Sequence, residues 1–290
     1  MLRGSISKQE HMDGQRLERK ILNRQDLLIL KRNLCNGCGI CSEVCPKGSI
    51  TLKPAVIEDG RLLHSPSVNI DEKTCIMCGM CAAFCQLGAL QTWVNDEKIA
   101  MFVDRKAIPP LTKSIDVMQE LCKSNCEFKC EKSCPRNAIK VSIKNDGQIQ
   151  EIINVQVDKD LCTYCKVCEY TCPYKAIIVQ KPFEGSVRIE KEKCLKNCQV
   201  CIDICPSEAI TLKDGMIEVF REFCVYCKAC QRVCPKGAIH VEIDRVSNVD
   251  IKSATWIKLL EKLASYRVVT KELVAKSREK QYLIAKNRIY

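Results

Sequence analysis

Residues 157–179 read VDKDLCTYCKVCEYTCPYKAIIV. Four cysteines, Cys162, Cys165, Cys168 and Cys172, stand at the spacing C-x2-C-x2-C-x3-C, and Pro173 follows the last of them. A short alternating run leads in and a small residue with a β-branched run leads out. Period-two alternation on both flanks predicts strands, with a cysteine loop and a short helix between them. Proline after the fourth cysteine has no N–H and a fixed φ, so it ends the helix and turns the chain into the next strand.

The same unit recurs along the chain, and a repeat of this length governs the fold. The other motifs are Cys35-Cys38-Cys41-Cys45, Cys75-Cys78-Cys81-Cys85, Cys122-Cys126-Cys130-Cys134, Cys194-Cys198-Cys201-Cys205 and Cys224-Cys227-Cys230-Cys234. The six motifs use all 24 cysteines of the 290-residue chain. The third widens to C-x3-C-x3-C-x3-C and the fifth to C-x3-C-x2-C-x3-C. Proline follows five motifs (Pro46, Pro135, Pro173, Pro206, Pro235), whereas Gln86 follows the second. Asp-Gly, the strongest short hairpin signal, lies between motifs one and two (Asp59-Gly60), three and four (Asp146-Gly147) and five and six (Asp214-Gly215). This alternation favours motifs paired in tandem. Glu184-Gly185 also reads as a turn, between motifs four and five, so a nested pairing stays open.

Cysteine at this density points to disulfides, zinc or iron–sulfur clusters. Zinc sites use paired knuckles separated by longer stretches, or histidine. Here His11, His64 and His240 all stand outside the motifs and read as ordinary surface or partly buried residues. Three thiolates from one tight loop and a fourth from elsewhere suit a [4Fe–4S] cubane, so the expectation is six [4Fe–4S] clusters held by all 24 cysteines. Gly37, Gly39 and Gly79 suit close approach of backbone to cluster, and Lys166, Lys228 and Gln199 replace them elsewhere. Tyr164 and Tyr226, inside the loops CTYC and CVYC, read as shields against water. No Gly-rich dinucleotide loop and no Ser–His–Asp arrangement accompanies the cysteines, so the chain reads as non-catalytic, with no catalytic residue assigned.

The formal charge of +11 suggests nucleic acid at first sight. A cubane core of +2 with four thiolates adds −2 at each site, which brings the loaded chain to about −1. The positive excess sits at the ends, +4 over residues 1–34 and +7 over residues 251–290. No basic-and-aromatic stacking pattern goes with it, so no nucleic-acid partner is expected; a zinc-binding structural or nucleic-acid-binding protein is the rival of another class. The N-terminus has no apolar h-region and no apolar run is long enough to span a bilayer, which predicts a cytoplasmic protein without a membrane span. Residues 12–24 read as a basic amphipathic helix before a strand at 27–30. Residues 104–121, with Pro109-Pro110 and a helical stretch after them, read as a linker. Trp93 reads as packing. Trp256, Leu259, Leu260 and Leu263 make one apolar helical face, and a second helix is expected over about 270–286. That C-terminal segment reads either as packed on its own domain or as a basic arm gripping a partner.

The unit resembles the bacterial dicluster ferredoxins, with their C-x2-C-x2-C-x3-C-P motif. In that family the fourth cysteine of each motif ligates the other cluster. The resemblance with tandem pairing therefore implies the sets Cys35, Cys38, Cys41 and Cys85 (site one); Cys75, Cys78, Cys81 and Cys45 (site two); and Cys122, Cys126, Cys130 and Cys172 (site three). The remaining sets are Cys162, Cys165, Cys168 and Cys134 (site four); Cys194, Cys198, Cys201 and Cys234 (site five); and Cys224, Cys227, Cys230 and Cys205 (site six). The expected fold is α+β, three tandem bacterial-type dicluster ferredoxin domains of βαβ repeats with helical N- and C-terminal extensions. The boundaries are 1–26 basic helical extension, 27–104 domain one, 105–184 linker and domain two, 185–248 domain three, and 249–290 helical arm.

Six motifs in one chain resemble the archaeal polyferredoxins of methanogens, above all the polyferredoxin component of formylmethanofuran dehydrogenase. The resembling stretches are VDKDLCTYCKVCEYTCP, VQKPFEGSVRIEKEKC, CIDICPSEAI, FCVYCKACQRVCPKGAI, TWIKLLEKL and KELVAKSREK. The resemblance implies a low-potential electron wire feeding the enzyme that reduces carbon dioxide toward formylmethanofuran in methanogenesis, or runs the reverse. It also implies eight motifs where this sequence has six. A polyferredoxin of a hydrogenase or heterodisulfide reductase complex, or a free carrier, is the alternative.

Overall fold

The computed structural model describes residues 6–146, 149–247 and 253–264, with positions 274, 277, 278 and 281 beyond them. The chain opens on an antiparallel meander, β1 (Ile6–His11), β2 (Gly14–Ile21) and β3 (Arg24–Lys31). Strand β3 enters motif one, α1 (Ile40–Val44) runs to its fourth cysteine, and β4 (Ile50–Lys53) leaves it. A hairpin of β5 (Val56–Glu58) and β6 (Arg61–His64) follows, then β7 (Ser67–Ile70), α2 (Met80–Ala83) and β8 (Leu90–Val94) around motif two. After α3 (Met101–Asp104) come β9 (Ser114–Val117), α4 (Lys129–Lys132), β10 (Ile139–Asp146), β11 (Ile149–Val157), α5 (Val167–Thr171) and β12 (Ile177–Gln180). The last cysteine-bearing stretch holds β13 (Phe183–Ile189), α6 (Val200–Asp203), β14 (Ile210–Lys213), β15 (Met216–Val219), α7 (Ala229–Val233) and β16 (Ile239–Val246). Helix α8 (Ala254–Leu263) follows.

Strand pairing answers the question the sequence left open. The strand entering motif one pairs with the strand leaving motif two, β3 with β8, and β4 pairs with β7. The arrangement repeats as β9 with β12 and β10 with β11, then as β13 with β16 and β14 with β15, all antiparallel. Helices pack in the same pairs, α1 on α2, α4 on α5 and α6 on α7. Among the described residues no strand pairs outside its own unit, so adjacent motifs pair and the nested arrangement does not occur. Asp59-Gly60 and Asp214-Gly215 make the turns β5–β6 and β14–β15 with both residues left-handed, as type I′ hairpins require. Gly147 lies outside the described residues, although Asp146 pairs with Ile149 across that hairpin.

Several expectations are corrected. Residues 12–24 are not a helix: Gly14–Ile21 is a strand in register with β3 from Gly14↔Lys31 to Ile21↔Arg24. Apolar β3 needs a partner on the edge away from β8, and β2 supplies it. Leu17 and Leu28 are buried, and Arg19 and Arg24 pair with the buried carboxylate of Asp26. The chain turns from β1 into β2 at Met12-Asp13, and Gly14, the second residue of a fourth Asp-Gly, opens β2 paired with His11. Glycine is obligatory there, because a Cβ would stand 1.7 Å from the Leu30 carbonyl oxygen. In the linker, residues 114–117 form strand β9 rather than helix, paired with β12. Glu184-Gly185 is a register irregularity within β13 rather than a turn. Helix α8 forms with Trp256, Leu259, Leu260 and Leu263 all buried, so this helix is packed; most of the expected arm lies outside the described residues. The expected second helix at 270–286 falls mostly outside the described residues.

Candidate metal centres

Left-handed residues at recurring positions shape the cysteine loops. The residue before or beside each second cysteine has positive φ: Gly37, Met77, Glu127, Tyr164, Asn197 and Tyr226. Gly39, Gly79, Phe128, Lys166 and Lys228 take positive φ before the third cysteine or its helix, whereas Gln199 of the widened motif five has φ −121°. Three residues past each fourth cysteine the chain is left-handed again, at Gly48, Gly88, Asn137, Lys175, Glu208 and Gly237. The next position holds the small residue of each repeat, Ser49, Ala89, Ala138, Ala176, Ala209 or Ala238, every one buried. The turn aims its N–H back at sulfur. Ser49 donates to Cys45 Sγ at 3.3 Å, Ala138 to Cys134 at 3.3 Å, Ala176 to Cys172 at 3.3 Å and Ala238 to Cys234 at 3.2 Å. Gly37 N and Tyr226 N donate to Cys35 and Cys224.

The cysteines gather in six sets of four. Four sets line separate apolar cavities: Cys45, Cys75, Cys78 and Cys81; Cys134, Cys162, Cys165 and Cys168; Cys194, Cys198, Cys201 and Cys234; and Cys205, Cys224, Cys227 and Cys230. For the remaining two expected sets, electrostatic influence crosses between the paired motifs. Cys85 acts on Cys35, Cys38 and Cys41, and Cys172 acts on Cys122 and Cys130. In each set the fourth cysteine comes from the paired motif.

Burial pushes the thiols up: Cys41, Cys201 and Cys224 to about 12, Cys130, Cys162 and Cys227 to about 11, and Cys38, Cys81, Cys168 and Cys230 further. Neighbouring thiolates add to the shift. Four thiolates in a dry cavity need a compensating multivalent cation. A single tetrahedral zinc would draw its sulfurs to about 3.8 Å apart, from Zn–S bonds of about 2.3 Å. Among the described residues no three Cys, His, Asp or Glu side chains converge tightly enough for one ion. The sulfurs line a cavity, which fits a polynuclear core.

The other residues that stand out in the sequence take definite places. Tyr164 and Tyr226 are buried beside Cys162 and Cys224, with Lys113 Nζ 4.9 Å and Lys181 Nζ 5.8 Å from their ring centroids. None of the histidines belongs to a cysteine set; His240 pairs with Glu190 at 2.7 Å. Sequence reasoning missed Asn36, whose Nδ2 lies 3.7 Å from Cys227 Sγ, and the two lysines Lys113 and Lys181. Their roles depend on contacts between units, for which the repeat carries no signal.

The 4Fe-4S dicluster domain family matches residues 34–89 and 121–176, and a second 4Fe-4S dicluster domain family matches residues 186–235. Formate hydrogenlyase subunit 2 of Escherichia coli K12 is 32% identical over 111 residues, 35% of this chain and 54% of that protein. The electron transport protein HydN of the same strain is 27% identical over 101 residues, 30% of this chain and 58% of its own length. The chain thus spans little more than half the length of these curated relatives. Over nearly its full length it is similar to a chain of the formate dehydrogenase–heterodisulfide reductase–formylmethanofuran dehydrogenase complex from Methanospirillum hungatei: TM-score 0.76, 29% identity, 91% of this chain and 93% of that one.

Proposed function

We propose that this chain, which carries 4Fe–4S dicluster domains and is similar to iron–sulfur electron-transport proteins, is a polyferredoxin of three tandem dicluster domains with six [4Fe–4S] sites. It would serve as the non-catalytic electron-transfer subunit of a formylmethanofuran dehydrogenase-type complex. One observation carries the reading: cavities lined by three cysteines of one motif and the fourth of its partner. Each cluster, when bound, supplies one-electron transfer at low potential. The protein's share is to exclude water, aim N–H groups at sulfur and fix the cysteine sets relative to one another.

Near-full-length likeness to a chain of the Methanospirillum hungatei complex supports that choice of partner. Likeness to formate hydrogenlyase subunit 2 and HydN supports the second reading, a hydrogenase-linked carrier. No helix among the described residues is long and apolar enough to cross a membrane. The deciding measurement is iron, acid-labile sulfide and zinc on anaerobically purified protein, with identification of what co-purifies. About 24 iron and 24 sulfide per chain are expected, four of each per site; stoichiometric zinc without sulfide would overturn the proposal. A pterin-containing oxidoreductase among the co-purifying chains separates the first reading from a hydrogenase.

A further inference from the structure

The three units do not meet as sequence order suggests. Units one and three meet at site six: Asn36 Nδ2 of the first cysteine loop reaches Cys227 Sγ, and Arg232 Nε donates to the Cys38 carbonyl at 2.6 Å while pairing with Glu43. Units one and two meet beside sites one and four. Gly88, three residues past Cys85, packs so tightly on Asp160 that a Cβ would stand 2.2 Å from its carbonyl oxygen, and Lys98 pairs with Asp160. Lys113 lies over Tyr164 in this seam. Units two and three meet beside sites four and six, where Lys181 Nζ donates to the Cys224 carbonyl at 2.8 Å and to that of Glu222. Cys165, Cys227 and Cys230 share one continuous core with Cys201 of site five, and Cys38, Cys78 and Cys198 pack against it.

Electrostatic influence follows the same contacts. Cys85 and Cys162 both act on Lys113, Cys165 and Cys224 both act on Lys181, and Cys227 acts on Cys38. The turn Asp59-Gly60 does reach the backbone of Cys198 in site five, but it brings no ligand there.

We propose that sites one, four and six form a three-way junction, with sites two, three and five as its outer ends, and that Lys113 and Lys181 are positioning residues whose charge each serves two sites at once. The chain is then a three-terminal conductor able to join three redox partners, rather than a wire running from motif one to motif six. Electron transfer falls steeply with distance, so the shortest contacts between sites choose the path. Lys181 is buried and Lys113 exposed; a cation beside two sites stabilises the reduced, more negative form of both. The inference rests on the six-site reading above.

The test uses the full-length chain, anaerobically purified, in a potentiometric titration followed by electron paramagnetic resonance. Lys113→Met lowers two of the six midpoint potentials and Lys181→Met lowers two. The double variant lowers three, because site four is shared. Lys181→Arg, which keeps the charge, leaves all six in place. Four distinct potentials moving in the double variant, or one or none in either single variant, would overturn the junction. If Lys181→Met binds less iron, Lys113→Met alone decides, since one moved potential or none still refutes it. Wild-type protein short of 24 iron per chain sinks the six-site reading itself, whereas full loading with the wrong pattern sinks the junction alone.

Discussion

Trp256 stacks on Phe84 with ring centroids 6.1 Å apart and planes 27° from parallel, and Phe84 immediately precedes Cys85, the cysteine of motif two proposed for site one. Helix α8 thereby lies over the meeting place of the units. Ser253 caps the helix and its hydroxyl donates to the Ala107 carbonyl, while Lys228 Nζ donates to the Leu263 carbonyl at 3.0 Å. Trp256→Ala should cost about 3–5 kcal/mol, the usual loss for emptying a buried aromatic site. Truncation after Asp250 removes the same cover, and iron per chain should fall below that of the full-length protein. Iron analysis after anaerobic purification checks this; undiminished iron in the truncated chain would return α8 to the role of a free docking arm.

The left-handed loop positions give a second prediction. Lys166 has φ 75°, where a residue with a Cβ pays about 1–2 kcal/mol that glycine does not. The exposed Lys166–Glu169 pair at 3.6 Å returns less than about 1 kcal/mol. Lys166→Gly should therefore raise the thermal midpoint by a few degrees. Lys228→Gly should gain less, because it also breaks the bond to Leu263. Gly39→Ala should lose stability, since φ is 79° and the new Cβ would stand 2.5 Å from the Arg232 guanidinium. Thermal melts of the loaded proteins order the three variants.

These positions also show what the sequence could and could not disclose. Cysteine spacing sets the loops, and Asp-Gly in alternate gaps sets the pairing, because both are local backbone demands written in residue type. The charged run RLERKI at 16–21 fits a helix and an edge strand almost equally, and what decided it was β3, ten residues on, needing a second neighbour. Lys113, Lys181 and Asn36 act across unit boundaries, where no periodicity points. Lys166 and Lys228 hide a requirement for positive φ that glycine announces at Gly39 and Gly79.

Raised thiol pKa values make the cluster-free protein sensitive to alkali. A thiol held above its unfolded value binds more protons folded than unfolded, so stability falls as pH rises through the interval between the two. With Cys130, Cys162 and Cys227 at about 11 and Cys41, Cys201 and Cys224 at about 12, that interval runs from about 9 to 12. The stability is fully present below it. Apoprotein prepared with a chelator under reducing conditions should melt progressively earlier above pH 9. The loaded protein, whose thiolates are already ionised and bound to iron, should lack this cysteine-dependent slope. Parallel slopes for the two forms would show that buried thiols do not control it.

Gln86 stands where the other five motifs carry proline. It is 6% exposed, and neither its Oε1 nor its Nε2 has a hydrogen-bond partner among the described residues. A buried amide left unpaired costs about 1–3 kcal/mol, so an apolar side chain of similar length should be an improvement. Gln86→Met is expected to raise stability by about that amount, with iron content unchanged, since the ligand Cys85 keeps its backbone. Chemical denaturation of anaerobic protein measures it. If Gln86→Met instead lowers stability or shifts a midpoint potential, the amide is serving site one. Motif two's departure from proline would then be a feature of that site rather than a tolerated defect.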